Sequence, residues 1–250
     1  MGIFFNPNRY SVGLTPQVQV NSHSHVYFGN NSYADSFQNN SVEKFFDEKF
    51  IKTMIAKNPE LQALLKYYKI KSELNLKELE DLKNNHCRDT QELCAEIAKN
   101  LPASLKNRIN LKDLKDGALL HDFGKVLIPK EILNKPGVLD LYEHKIIDLH
   151  SLIGYELLEN SGINDEILHL VKNHHNTGNS HGDVNLQILN IADKYSALTE
   201  ARVYKRPMSP KQALMILYAE TRHGEIEPVI FNALVKTVHA RQKQTELNIS

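Results

Sequence analysis

Apolar residues recur at helical spacing along almost the whole chain from Ser41 onward. The first run covers 45–55, stops at Asn58 and a proline, and resumes over 61–68. Steps of three and four residues place side chains on one face of an α-helix. The same spacing predicts further helices over 74–100, 111–122, 141–159, 164–176, 184–200, 210–222 and 227–241. Because alternating strand patterns with hairpin turns do not accompany these runs, the predicted fold class is all-α.

Residues that commonly begin or end helices stand at the edges of these runs. Asp140 and Glu143 have the spacing of a capping box, and Ser209 precedes a proline at the predicted first turn of a helix. Gly124 and Gly224 stand where two runs stop, a position that glycine favours. These residues agree with the helix boundaries that the apolar pattern predicts.

The first forty residues differ in composition from the rest of the chain. They contain one basic and one acidic side chain, while Asn, Ser and Gln supply fifteen of the forty positions. Such a stretch lacks an apolar period and predicts a poorly ordered tail over 1–40. Its seven scattered aromatic residues suggest docking on a protein partner. A helical extension over 41–75 and a helical-bundle domain over 76–250 complete the predicted organisation.

Charge and cysteine content exclude several classes of function. Thirty Lys and Arg residues against thirty Asp and Glu residues leave no net charge to bind bulk nucleic acid. We expect no membrane span and no secretory signal, since long apolar runs are missing. Cys87 and Cys94 lie seven residues apart on a predicted helix, too far for a disulfide. The sequence therefore predicts a cytoplasmic protein and leaves its oligomeric state open.

Five histidines and two aspartates fall on the inward faces of five predicted helices. These residues are His86, His121, Asp122, His150, His174, His175 and Asp193. A single inward histidine is more often a satisfied core residue than a metal ligand. Seven such groups in an apolar interior would be costly unless they were paired or bound to cations. Seven nitrogen and oxygen donors exceed one four-coordinate site, so the pattern predicts two metal ions that share a carboxylate.

These seven residues belong to a longer ordered set of motifs. The set is His86; His121, Asp122 and Lys125; Ile128, Pro129, Ile132, Leu133, Lys135, Pro136 and Gly137; His150 and Gly154; His174 and His175; Ile191, Ala192, Asp193, Ser196, Ala197, Leu198 and Thr199; and Arg202 with Tyr204. Over residues 80–240 it resembles the HD superfamily, and specifically its HD-GYP branch. The resemblance implies an HD-domain helical bundle with two, sometimes three, metal ions that hydrolyses cyclic di-GMP.

The resemblance also implies roles for individual residues. One metal ion would be held by His86, His121, Asp122 and Asp193, and the other by Asp122, His150, His174 and His175. Asp122 would bridge the two ions, which would activate a shared water as the hydroxide that attacks phosphorus. Lys125 would neutralise a phosphoryl oxygen. Arg202 and Lys205 would bind a second phosphate or a base edge, with a surface role equally open for each.

Several positions depart from the HD-GYP pattern. The family has a glutamate and a Gly-Tyr-Pro loop after the histidine pair, whereas this chain has a shorter loop over 176–183. Gln187 and Ser196 stand where the family has arginine and aspartate, and Leu82 stands where three-metal members carry glutamate. A third metal ion is therefore not expected, and the nucleotide substrate is left open.

Three functions remain open from the sequence. The preferred one is a metal-dependent phosphohydrolase that acts on a nucleotide, with a cyclic dinucleotide such as cyclic di-GMP as one substrate class. The second is a catalytically degenerate HD-GYP-like module that binds metal and serves in sensing or protein docking. The third is an HD-type diiron oxygenase, against which the adjacent pair of His174 and His175 argues. Iron or manganese are the preferred metals, with zinc, nickel or magnesium as alternatives.

Overall fold

Helices make up the regular structure of residues 42–176, 182–200 and 207–249, which are the residues that this computed structural model describes. The α-helices are α1 (Glu48–Lys57), α2 (Pro59–Tyr67), α3 (Leu76–Asn84), α4 (His86–Lys99), α5 (Ala103–Lys106), α6 (Leu111–Leu120), α7 (Lys130–Leu133), α8 (Leu141–Asp148), α9 (His150–Leu158), α10 (Asp165–Asn173), α11 (Val184–Thr199), α12 (Pro210–Arg222) and α13 (Pro228–Ile249). Two 3₁₀ turns, Val42–Phe46 and Phe123–Leu127, add to them. Because these described ranges contain no strand, the predicted all-α class is confirmed. The predicted tail lies outside the described residues.

Two clusters of buried apolar side chains form the core. One contains Phe45 and Phe123 together with side chains of α1, α2, α3 and α9. The other contains Leu189 and Leu234 together with side chains of α4, α6, α11, α12 and α13. Helices α4, α6 and α10 contribute to both clusters. These three helices therefore lie where the clusters meet, and each carries a predicted metal ligand at one end.

The helices predicted as continuous over 74–100 and 141–159 are each broken in two, so that prediction is wrong. Asn85, with φ −123° and ψ −102°, separates α3 from α4, and Leu149 separates α8 from α9. His86 and His150 are consequently the first residues of α4 and α9. The apolar pattern did not reveal the first break because Leu82 on one side and His86 on the other are both buried.

Most predicted helix boundaries are correct, but Gly124 does not end a helix as predicted. Asp140 and Glu143 form the expected capping box, Ser209 caps α12, and Gly224 follows α12 with φ +80°. Gly124, in contrast, lies inside the second 3₁₀ turn, after α6 has already ended. A Cβ atom at Gly124 would lie 1.9 Å from the carbonyl oxygen of His150. Glycine is required there because two backbone segments approach closely.

The helices of the predicted extension pack against the elements that carry the histidines. Asn58 caps α2 by accepting a hydrogen bond from the Leu61 amide, and its side-chain nitrogen donates to the Glu156 carbonyl oxygen of α9 at 2.7 Å. Phe46 meets Phe123 edge to face, with ring centroids 5.4 Å apart. The extension thus supports α9 and the 3₁₀ turn that follows α6. In the described part of the chain, every helix is too short or too polar to cross a bilayer.

Candidate metal centre

The seven predicted ligands come together at one place in the bundle. They are His86 at the start of α4, His121 and Asp122 after α6, His150 at the start of α9, His174 and His175 after α10, and Asp193 within α11. Five of them are buried, and the side chain of Asp193 is only 13% exposed. His175 was expected to face the core but is exposed. Its ring nevertheless remains in contact with the ring of His150.

Asp122 lies between two groups of donors. Its Oδ2 atom is 3.5 Å from His86 Nε2 and 3.4 Å from His121 Nε2. Its Oδ1 atom is 3.2 Å from His150 Nε2 and 3.9 Å from His174 Nε2. Each carboxylate oxygen therefore faces a different pair of imidazoles.

The group on the Oδ2 side, which we call the acidic half, consists of His86, His121 and Asp193. Asp193 Oδ1 lies 3.3 Å from His86 Nε2 and 3.5 Å from His121 Nε2. One donor atom from each of the three lies within 4.8 Å of the others. Two imidazoles and a carboxylate at such spacing are a donor set that suits divalent transition metals.

The group on the Oδ1 side, which we call the histidine half, consists of His150, His174 and His175. His150 Nε2 is 3.1 Å from the Nε2 atoms of both His174 and His175. These three donor atoms also lie within 4.8 Å of one another. Imidazole nitrogens that converge in this way present several lone pairs to one point, as metal ligands do.

Backbone carbonyl groups orient three of the buried rings. The Nδ1 atoms of His121, His150 and His174 lie 2.7, 2.6 and 2.8 Å from carbonyl oxygens three residues earlier in the chain. A carbonyl oxygen only accepts a hydrogen bond, so each Nδ1 carries a proton and each Nε2 atom is turned into the cluster. Asn190 of α11 donates to the His174 carbonyl oxygen at 2.6 Å and so supports this arrangement.

The carboxylates of the acidic half draw protons toward its imidazoles. Burial opposes protonation of His86, but the neighbouring carboxylates of Asp193 and Glu200 outweigh it and raise its pKa to about 10. At His121 the charge of Asp122 likewise outweighs burial and raises the pKa well above its usual value. Burial also opposes ionisation of Asp122, yet Lys125 and His121 hold its pKa well below the normal range.

The histidine half has the opposite electrostatic character. Burial, followed by the neighbouring rings of His175 and His121, lowers the pKa of His174 well below its usual value. The pKa of His175 falls to about 4, again through burial of the ring first and His150 second. That value applies to a ring that packs against His150, although the residue as a whole is exposed. Neutral imidazoles are the form that binds metal ions.

Two buried nitrogen atoms support the fit of the cluster to a metal group. His86 Nε2 and His121 Nε2 are buried and have no partner with hydrogen-bond geometry, although carboxylates surround them. A buried polar atom without a partner costs about 1–3 kcal/mol, so such atoms usually serve a ligand. The donor set and these two atoms together fit divalent metal ions.

Lys125 lies at the edge of the cluster. The 3₁₀ turn after α6 places it three residues beyond Asp122, and its Nζ atom donates to Asp122 Oδ2 at 2.5 Å. Its side chain is 17% exposed, so the ammonium group lies between the buried carboxylate and solvent. Arg202 and Lys205, the other predicted substrate contacts, lie outside the described residues.

Two acidic residues near the cluster were missed from the sequence. Glu200 follows the last turn of α11 and its Oε2 atom lies 3.1 Å from His86 Nδ1. Glu78 of α3 interacts electrostatically with Lys125 and Asp122, and burial raises its pKa to about 7. Glu200 was detectable in principle, because it lies seven residues after Asp193 and therefore on the same helical face. The sequence around Glu78 carries no comparable signal.

The departures from the HD-GYP pattern have structural explanations at two positions. Gln187 is buried and donates from Nε2 to Glu227 Oε1 at 3.0 Å, which joins α11 to the residue before α13. Leu82 is 2% exposed and belongs to the first apolar cluster. Both residues therefore contribute to packing of the bundle.

Comparison with known proteins gives the same family as the motifs. Residues 84–198 match the HD domain family. The chain is 30% identical over 161 residues to 3'3'-cGAMP-specific phosphodiesterase 1 of Vibrio cholerae, covering 60% of this chain and 37% of that protein. It is 34% identical over 131 residues to the cyclic di-GMP phosphodiesterase response regulator RpfG of Xanthomonas campestris, covering 48% of this chain and 34% of that protein. The chain thus spans about a third of the length of these relatives.

Among solved structures, the HD domain of the L. monocytogenes phosphodiesterase PgpH aligns with a TM-score of 0.48 and 16% identity. That alignment covers 78% of this chain and 100% of the other. The match over residues 84–198 and the named relatives support an HD-GYP-like member of the HD superfamily.

Proposed function

We propose that this chain is a metal-dependent phosphodiesterase that hydrolyses a cyclic dinucleotide, with one metal ion on each side of Asp122. The observation that carries the proposal is the placement of the two Asp122 oxygens, one toward the acidic half and one toward the histidine half. A carboxylate that faces two donor groups in this way is suited to bridge two cations. The relatives named as phosphodiesterases of cyclic di-GMP and 3'3'-cGAMP support the substrate class.

In this proposal His86, His121 and Asp193 hold one ion, and His150, His174 and His175 hold the other. Divalent metal ions in such a site activate water and neutralise charge on a phosphate group. Iron or manganese fit the mixed imidazole and carboxylate ligands, with zinc, nickel or magnesium as alternatives. The backbone carbonyl groups behind three of the rings keep the donor atoms oriented toward the centre.

Lys125 has the position of a substrate contact. Its ammonium group is held against Asp122 and reaches the partly exposed edge of the centre. A phosphate group of a cyclic dinucleotide that approached this edge would meet that positive charge, which would stabilise charge on a phosphoryl oxygen. Contacts of Arg202 and Lys205 with the substrate stay predictions, as do the cytoplasmic location and a protein partner for residues 1–40.

Turnover of a nucleotide panel tests the proposal. The full chain, supplied with Mn²⁺ or Fe²⁺, is incubated with cyclic di-GMP, 3'3'-cGAMP, cyclic di-AMP and linear dinucleotides. We expect hydrolysis of at least one cyclic dinucleotide and its loss in Asp122→Asn. Asp116→Asn is the matched control, because Asp116 lies on α6, shortly before Asp122, and pairs with Lys112.

The other two functions are outcomes of the same experiment. Metal uptake and nucleotide binding without any product would contradict the phosphodiesterase proposal and favour a binding module. The Gln187 side chain favours that second candidate, because it is engaged with Glu227 where the family has an arginine. Uptake of oxygen with a small organic substrate, without nucleotide hydrolysis, would instead favour a diiron oxygenase.

A further inference from the structure

His86 is oriented differently from the other buried histidines. His121, His150 and His174 each direct Nδ1 to a carbonyl oxygen three residues earlier. Asn85, directly before His86, has φ −123° and ψ −102°, outside helical geometry, whereas Leu149 before His150 keeps φ −68° and ψ −14°. The Nδ1 atom of His86 lies 3.1 Å from Glu200 Oε2 instead. A side-chain carboxylate thus occupies the position that a backbone carbonyl has at the other three rings.

Two carboxylates of one helix hold the His86 ring from its two sides. Asp193 and Glu200 lie seven residues apart, which is about two turns or about 10 Å along α11 and its cap. Asp193 Oδ1 lies 3.3 Å from Nε2, and Glu200 Oε2 lies 3.1 Å from Nδ1. The ring therefore lies between these two carboxylates, and its hydrogen bond is the one between Nδ1 and Glu200.

The two nitrogen atoms compete for one proton when the ring is neutral. Asp122 and Asp193 face Nε2 and favour a proton there, which would block the lone pair that a metal ion needs. Glu200 favours a proton on Nδ1, which leaves the Nε2 lone pair directed into the acidic half. A hydrogen bond to a charged acceptor is about twice as strong as one between neutral groups.

We propose that Glu200 is a positioning residue for the metal site of the acidic half. It accepts the Nδ1 proton of His86, fixes the ring and leaves Nε2 as the metal-binding atom. The inference rests on the proposed function, since it requires that a metal ion binds in the acidic half. The buried His86 Nε2, which has no partner of hydrogen-bond geometry, is the atom that Glu200 keeps available.

Metal affinity of two variants tests this role. We would titrate Mn²⁺ into the metal-depleted full chain and follow the binding of each equivalent by calorimetry. Glu200→Ala and Glu200→Gln are expected to raise the dissociation constant of one equivalent by about 10–100-fold, as loss of such a partner usually does, and to leave the other unchanged. Because Glu200 is one-third exposed, at 33% for the side chain, we expect both variants to fold with nearly unchanged melting temperature.

Glu220→Gln is the matched control. Glu220 has a side-chain exposure of 24% and pairs with Lys194, the neighbour of Asp193 on α11, at 2.6 Å. Its loss removes a carboxylate of α12 that pairs with α11 without touching the His86 ring, so both metal affinities should equal those of the wild type. A weakening equal to that of the Glu200 variants would indicate a general structural effect and overturn the proposal.

A spectroscopic measurement on the unaltered chain keeps the test independent of folding. In the Zn²⁺-loaded protein, ¹⁵N chemical shifts of His86 are expected to show a protonated Nδ1 and an unprotonated Nε2. The opposite tautomer, or unchanged Mn²⁺ affinity in both Glu200 variants, would refute the role of Glu200 while leaving the phosphodiesterase proposal intact. A wild-type chain that binds no metal ion would instead overturn the proposed function and this inference together.

Discussion

The acidic half and the histidine half of the centre lie side by side but differ in charge. In the acidic half Asp193 and one oxygen of Asp122 face two imidazoles whose pKa values are raised. In the histidine half His174 and His175 have lowered pKa values. The carboxylate that faces this half is Asp122, whose Oδ1 atom lies 3.2 Å from His150 Nε2. One fold therefore offers two different electrostatic environments around a single shared carboxylate.

The origin of this difference lies in the helices that supply the two groups. Asp193 comes from the middle of α11, which packs against α4 and α6, so the carboxylate reaches His86 and His121. The histidine half is supplied by the start of α9 and the end of α10, where no acidic residue of those helices enters the described cluster. Among the described residues, only Asp122 contacts both groups. Substitutions should therefore separate effects on both halves from effects on one.

Removal of the shared charge should have the largest effect. Asp122→Asn keeps the size of the side chain but removes the anion between the halves, so we expect weak binding of both metal ions. The rate of hydrolysis should fall by about a thousandfold or more, which corresponds to about 4 kcal/mol of lost transition-state stabilisation. Elemental analysis and nucleotide assays measure the two effects. Retention of two metal equivalents by this variant would show that the halves do not share Asp122.

Substitutions within one half should remove one metal ion and leave the other. Asp193→Asn lacks the acidic half's own carboxylate, and His174→Gln lacks a central ring of the histidine half. We expect one metal equivalent in each variant and a loss of activity of about a hundredfold or more, since both ions would contact the substrate phosphate. Manganese titration followed by electron paramagnetic resonance counts the ions. If both variants lost the same ion, the division into two halves would be wrong.

The close approach of the 3₁₀ turn after α6 to the start of α9 should be sensitive to a single methyl group. Gly124→Ala would place Cβ 1.9 Å from the His150 carbonyl oxygen and 2.5 Å from the Gly154 amide nitrogen, so backbone must move. We expect the free energy of unfolding to fall by about 3 kcal/mol. Gly117→Ala is the control, since its Cβ would lie 2.5 Å from Leu170 Cδ1 and 3.0 Å from Leu170 Cβ, so it meets a side chain and no backbone atom, and we expect a smaller loss. Urea unfolding measures both, and equal losses would contradict the role given to Gly124.

Glu78 should add a smaller, pH-dependent effect beside the acidic half. Burial raises its pKa to about 7, above the usual 4.5. The folded state therefore disfavours the ionised carboxyl, and this group lowers stability increasingly as pH rises from 4.5 to 7. The Glu78→Gln side chain is neutral at every pH. Its free energy of unfolding should exceed that of the wild type by about 1–2 kcal/mol at pH 8 and by less at pH 5, with the partial exposure of Glu78 taken into account.

Urea unfolding of the metal-depleted chain at these two pH values tests that prediction. Glu80→Gln is the control, because Glu80 lies on the same helix and is exposed. The Glu80 variant measures the effect of removing an exposed carboxyl from the same helix at each pH value. A Glu78 variant whose difference from the wild type did not vary with pH would show that this carboxyl ionises freely in the fold.

The sequence predicted the helices and the convergence of their polar residues because both depend on local spacing. The spacing of His86, His121 and Asp193 relative to apolar neighbours predicts that their side chains face the core. The structure brings these three residues within contact distance. The break at Asn85 was not predictable in this way, because the buried positions continue in register across it. The need for Gly124 was also hidden, since it depends on a segment about 26 residues later in the chain.

The supporting contacts were less predictable than the ligands themselves. Glu200 acts from beyond the last turn of α11, and its contact with His86 depends on the break that starts α4. The exposure of His175 was not predictable from apolar spacing either, since its neighbour His174 is buried. Helical periodicity determines which side chains share a helix face, whereas contacts between distant segments determine where a helix ends.

Anomalous diffraction from crystals grown with Mn²⁺ tests the central claim most directly. Two anomalous peaks are expected, one between Asp122 Oδ2 and the acidic half and one between Asp122 Oδ1 and the histidine half. A map without peaks at Asp122, or with a single peak that contacts only one of its oxygens while the other group of histidines stays empty at saturating metal, would contradict a two-metal centre built around this carboxylate.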